Sequence, residues 1–131
     1  MSCQRCGAET VAFRVPTTLR EHLPDDRPGA ELCTRCLAVA PVDDPPEDYP
    51  DFREQVSGAF PRNDEAGVAL ACLLALLESL VLYREEVAAV ATYAETHGAD
   101  TLMFLERVAS DDSLDPYFDV GRRARQLEQF I

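Results

Sequence analysis

The sequence predicts an α+β fold in two unlike parts, short β-hairpins followed by about four helices. Three observations predict it. Four of the five cysteines fall within the first 36 residues as two CxxC pairs. Apolar residues around those pairs alternate with period 2, whereas beyond residue 62 they recur with period 3.6. Between the two regimes lies an acidic, proline-rich stretch, so the expected organisation is residues 1–42, a connector at 43–61, and a helical domain at 62–131.

Each element has a local reason. In Glu9–Pro16, Val11, Phe13 and Val15 share one side of an extended chain, which makes a strand. Leu19–Leu23 suits a single helical turn, and the run Pro24-Asp25-Asp26-Arg27-Pro28-Gly29 is a loop by its turn residues. Ala30–Leu32 leads into the second cysteine pair, and Leu37–Val42 supplies a returning strand. In the connector, Pro45, Pro46, Pro50 and Pro61 remove donors while the acids repel one another. Tyr49, Phe52, Val56 and Phe60, spaced 3, 4 and 4 apart, place one apolar face on a short helix that docks back onto the body. Asp64 is expected to cap a central helix through Leu80, with Leu70, Leu73, Leu74, Leu77, Leu80 and Val81 in one stripe. Glu85–Thr96 forms the next helix, with Val87, Val90, Ala91 and Ala94 inward and His97-Gly98 as its end. Asp100 caps a third, with Leu102, Leu105 and Val108 inward. Asp115-Pro116 is the expected start of a fourth, with Val120, Ala124, Leu127 and Ile131 inward. No internal repeat is visible.

The motif that carries chemistry is Cys3-Gln4-Arg5-Cys6-Gly7 with Leu32-Cys33-Thr34-Arg35-Cys36, two CxxC pairs separated by 26 residues. A two-residue gap lets each pair close a tight turn whose backbone N–H groups point at the sulfurs, and four thiolates suit a tetrahedral zinc ion. Gly7 supplies the unrestricted φ such a turn needs after its second ligand. Cys3, Cys6, Cys33 and Cys36 are therefore the expected ligands of one Zn2+ per chain, in the arrangement of a zinc ribbon. Iron also accepts four thiolates. Four protein ligands leave no position for water or substrate, which makes the metal structural. About 40 residues with few large apolar side chains need that metal for their stability.

Other signals are weaker. Cys72 reads as a small buried hydrophobe. His22 lies between the two pairs, where it could stand in for a cysteine, and His97 suits a helix C-terminus. Asp111, Asp112 and Asp115 with Ser113 read as helix capping before a cation loop. Arg122, Arg123 and Arg125 form a basic cluster with Asp119–Arg123 and Arg125–Glu128 at pairing distance along a helix. No catalytic residue is assigned.

Composition narrows the function. The 131 residues carry 24 acids against 12 basic residues, a formal net charge of −12, and every basic residue is arginine. Such a chain lacks the basic surface of a general nucleic-acid binder. The acid excess without lysine fits a cytoplasm of molar salt, which screens self-repulsion. Residues 1–40 are balanced, with five arginines against five acids, so Arg5, Arg14, Arg20, Arg27 and Arg35 make the ribbon the least acidic part. Cys3 and Cys6 arrive before any apolar leader, and the longest uncharged run, Ala66–Leu77, is shorter than the roughly 20 residues a bilayer span needs. A cytoplasmic location without a membrane is expected.

The two cysteine knuckles, the stretch Leu80–Glu86 (LVLYREE) and the segment Ser113-Leu114-Asp115-Pro116-Tyr117-Phe118-Asp119, with Arg122-Arg123 and Gln126-Leu127 after it, resemble a family of small zinc-ribbon proteins from haloarchaea. The resemblance covers most of the chain and implies a metal site at the four cysteines and a haloarchaeal cytoplasm; it brings no activity or substrate. The functional expectation is a non-enzymatic adaptor or interaction module with a structural zinc, its partner another protein or a second copy of itself. The alternative is a ribbon that contacts RNA or the transcription or translation machinery through Arg14, Arg20 or Arg35. An enzyme is the least favoured class.

Overall fold

A computed structural model describes residues 2–130. The fold is α+β: a three-stranded antiparallel sheet bearing the cysteine cluster, then a helical region. Strands β1 (Thr10–Arg14), β2 (Gly29–Cys33) and β3 (Val39–Val42) lie in the order β1-β2-β3. Period 2 decides their faces: Val11 and Phe13 of β1 and Ala30 and Leu32 of β2 are buried. Gly29 is required where it stands, because a Cβ there would meet Pro45 Cβ at 2.4 Å. A single helical turn, α1 (Thr17–Arg20), buries Leu19 between β1 and β2 in the chain.

Cys33 N donates to Ala38 O, so bonded and non-bonded pairs alternate along β2–β3 and Ala30 stands opposite Pro41 in a non-bonded pair. The nitrogen of Pro41 thus faces the free edge, where its missing N–H blunts pairing with another chain.

The acidic connector is held to the body by its aromatic residues. Asp51 caps α2 (Phe52–Gln55) by accepting from Arg53 N and Glu54 N. Phe52, Val56 and Phe60 are all buried, but the helix ends at Gln55 and a turn closed by Phe60 N on Ser57 O brings Phe60 in, so the expected single helical face does not form. Tyr49 lies partly buried under Arg14, 4.9 Å from its guanidinium carbon. Four rings form a row from sheet to helices: Phe13 on Phe52 at 5.4 Å, Phe52 on Phe60 at 5.0 Å, and Phe60 on Phe104 at 4.8 Å.

Helix α3 (Asp64–Leu77) is buried on nearly every side. Its cap is Asn63, whose side chain accepts from Ala66 N at 2.9 Å, one residue before the expected Asp64. The helix also stops three residues short of Leu80. Ser79 N and Leu80 N bond to carbonyls three residues back, and this tighter winding keeps Leu80 buried while turning Val81 out to 73 % exposure. Helix α4 (Arg84–Thr96) buries the four expected positions, and α5 (Thr101–Ala109) is capped by Asp100 through Met103 N. Helix α6 (Val120–Glu128) starts at Asp119, which accepts from Arg122 N at 2.9 Å, and not at Asp115-Pro116. Val120, Ala124 and Leu127 face inward as expected; Ile131 lies outside the described residues. One apolar cluster runs from Val11 through α3 to Leu127 and includes residues of both the sheet and the helices.

Candidate metal centre

Two turns that repeat each other build the centre. In the first, Cys3 N donates to Ala8 O at 2.7 Å and Ser2 bridges Glu9. In the second, Cys33 N donates to Ala38 O at 2.9 Å and Leu32 pairs with Val39. The residue after each second cysteine is left-handed, Gly7 at φ 81° and Leu37 at φ 65°. Cys3-x-x-Cys6-Gly7-Ala8 and Cys33-x-x-Cys36-Leu37-Ala38 are thus one turn used twice, 30 residues apart, a local repeat that the two CxxC pairs alone did not reveal.

The turns cross so that Cys3 Sγ lies 3.7 Å from Cys36 Sγ and Cys6 Sγ lies 3.4 Å from Cys33 Sγ. All four sulfurs fall within 4.8 Å of one another, and no other group of metal-ligating side chains gathers among the described residues. A tetrahedron with Zn–S of about 2.3 Å has edges of about 3.8 Å, so the set can close on a single ion. Arg5 N donates to Cys3 Sγ at 3.3 Å, and Arg35 N and Cys36 N to Cys33 Sγ at 3.4 Å, offsetting negative charge on the sulfurs. Cys3, Cys33 and Cys36 are buried, whereas Cys6 is exposed.

The environment separates the thiols. The Cys6 and Arg5 backbone N–H groups bring Cys3 down to about 7. Burial pushes Cys36 up to about 12 and raises Cys33 as well. Without a cation the Cys33 and Cys36 thiols keep their protons at neutral pH; a bound divalent ion reverses this by stabilising the thiolates.

Two further contacts complete the centre. Thr34 donates to Glu9 O through both its N–H and its hydroxyl, which ties the second turn to the strand leaving the first. From the far end of the chain, Asp115 N donates to Arg35 O at 2.8 Å and Tyr117 N to Cys36 O at 3.1 Å. Tyr117 packs against Cys3, Cys33 and Cys36, and the Arg5 guanidinium carbon sits 4.3 Å from its ring centroid. Burial, with the Glu78 carboxylate beside it, pushes the Tyr117 hydroxyl up to about 12.

A comparison with protein families matches residues 2–131 to a family of unknown function, DUF6276. The chain belongs to this family. No curated protein and no solved structure matches it. In this member of DUF6276 the expected ligands converge, and the other candidates do not join them. His22 Nε2 lies 3.5 Å from Glu21 Oε1, and His97 rests against the Tyr93 ring. Cys72 is buried within α3, where desolvation pushes its thiol up to about 12, an unreactive state. Asp111 accepts from Ser113 N, Ser113 Oγ and Ser57 Oγ, a turn-closing role. Arg123 donates to Gln126 at 2.8 Å while Asp119 is committed to its cap, so the expected Asp119–Arg123 pair does not form.

Sequence reasoning placed Tyr117 only inside a family-like segment. The signal that could have found it is Asp115-Pro116: a residue before proline is held extended, which leaves its own N–H and that of Tyr117 free for another strand or loop.

Proposed function

We propose that Cys3, Cys6, Cys33 and Cys36 hold one structural zinc ion per chain and that the protein is a non-enzymatic interaction module. The observation that carries this reading is the convergence of four sulfurs to within 4.8 Å of one another. Four thiolates satisfy zinc fully, so the ion is left without an open position for substrate. Borderline-soft zinc also suits an all-sulfur donor set.

A protein partner is favoured over nucleic acid by where the N-terminal arginines are spent. Arg5 lies over Tyr117, Arg14 over Tyr49, and Arg27 pairs with Asp43, which leaves Arg20 and Arg35 of the five, fewer charges than an extended phosphate-binding surface requires. No helix among the described residues is long and apolar enough to cross a membrane. The working environment we infer is a salt-rich cytoplasm, on the strength of 24 acids without a single lysine.

Native mass spectrometry with metal analysis of protein purified without added metal tests the site. The expected result is one zinc per chain, lost in any single ligand Cys→Ser variant and kept in Cys72→Ala. Metal-free protein with Cys3/Cys6 and Cys33/Cys36 reversibly oxidised would overturn the structural-zinc reading, and iron in the same stoichiometry would replace it.

A further inference from the structure

The stretch Leu114–Phe118, between α5 and α6, is built as a clasp on the cysteine turns. Two of its backbone donors reach carbonyls of the second turn, Asp115 N to Arg35 O and Tyr117 N to Cys36 O. Cys36 is a candidate ligand itself, so whatever fixes its sulfur also fixes the carbonyl that Tyr117 uses. The Tyr117 ring is held from the other side by Arg5, which belongs to the first turn. Tyr117 therefore touches both turns at once. The Thr10–Cys33 strand pair and the two Thr34–Glu9 bonds join the turns at their base, whereas Cys3–Ala8 and Cys33–Ala38 themselves meet through the sulfur pairs Cys3–Cys36 and Cys6–Cys33, which a shared ion would replace. Two residues beyond Tyr117, Asp119 caps α6 through Arg122 N, so the clasp also sets where that helix begins.

We propose that metal occupancy and docking of the Leu114–Phe118 clasp are coupled, so that loss of the ion frees the clasp and loosens α6. This rests on the metal reading above. Linkage makes the coupling reciprocal: a change that undocks Tyr117 weakens metal binding although Tyr117 is not a ligand. The ion then reports through the clasp on the C-terminal helix, a surface far from the cysteines in sequence.

Hydrogen–deuterium exchange of the full chain, zinc-loaded and after chelation, tests this, with native mass spectrometry of the same samples. Peptides covering 111–128 are expected to exchange about ten-fold faster or more after chelation, while α3 changes little. Deprotection confined to residues 3–8 and 33–38, with 111–128 unchanged, would overturn the coupling while leaving the metal site intact. Failure to load any metal would overturn the metal reading and the coupling together. Should chelation unfold the whole chain, the loaded variants decide. Arg5→Ala, at an exposed position, and Tyr117→Phe, which keeps the ring, bracket Tyr117→Ala. Zinc transfer to a competing chelator is expected to accelerate about ten-fold in Tyr117→Ala, less in Arg5→Ala and little in Tyr117→Phe; equal rates in all of them would end the proposal.

Discussion

Leu37 holds a left-handed backbone with a side chain that is fully buried, a conflict between local and tertiary preference that packing wins. The left-handed conformation costs about 1–2 kcal/mol for a residue with a Cβ, whereas truncating a buried leucine costs about 2–5 kcal/mol. Leu37→Gly should therefore lower stability by about 2 kcal/mol even though it relieves the backbone, as measured by urea denaturation of the metal-loaded protein. At the matching position of the first turn a Cβ on Gly7 would meet no atom within 4 Å, so Gly7→Ala carries the strain alone, about 1 kcal/mol. A second residue pair sets a pH dependence. The Ser113 and Ser57 hydroxyls hold Asp111 below the usual carboxylate range. A depressed acid stabilises the fold above its unfolded value, about 3.9, and the stabilisation is lost as pH falls through the lower folded value. Ser57→Ala should lower stability by about 1 kcal/mol at neutral pH, and the gap from wild type should narrow below about pH 4. A gap that is constant from pH 7 to pH 2 would assign the loss to packing instead.

At the scale of elements, the helix starts separate two candidates that sit close together in the sequence. Asn63 and Asp119 accept from the backbone of the first turn, whereas Asp64 lies one residue inside α3 and Asp115 contributes its own N–H to Arg35. Asn63→Ala and Asp119→Ala should each cost about 1 kcal/mol in thermal or urea unfolding. Asp64→Ala and Asp115→Ala should cost a few tenths at most, since the backbone contact of Asp115 survives the change. Equal losses at Asp115 and Asp119 would place the start of α6 where the Asp-Pro pair suggests. Periodicity identified every long element because a buried face repeats along the chain. It placed Asp100 and His97-Gly98 correctly but missed both ends of α3 and the start of α6, because those termini depend on where the chain must turn. The central helix shows this: the apolar stripe continues to Val81, but the winding tightens after Leu77, so that Leu80 stays inside and Val81 does not.

For the whole molecule, charge and metal set the conditions of stability. Against a net charge of −12, the arginine–carboxylate pair among the described residues is Arg27–Asp43. Most carboxylates therefore repel one another without a partner. The melting temperature should rise steadily as salt increases from about 0.1 M, where the Debye length is about 10 Å, to 1 M, where it is about 3 Å. A melting temperature independent of salt would show that the acids are too well solvated for their repulsion to matter. Sheet and helices share one apolar cluster, so the metal-loaded chain should unfold in a single transition followed alike by far-ultraviolet dichroism and tyrosine fluorescence.

The sequence by itself determined the α+β class, the two outer strands and the long helices, the docking of the connector aromatics, and the four cysteines that come together. Each is written as a spacing: period 2 for strands, 3.6 for helices, two residues between ligands that share a turn. Only the tertiary structure decided that Tyr117 lies against the cysteine cluster under Arg5, that Leu37 repeats the role of Gly7, and that Asp111 binds Ser57. These join residues that are distant in the chain, and no local period records which two surfaces close packing will bring together.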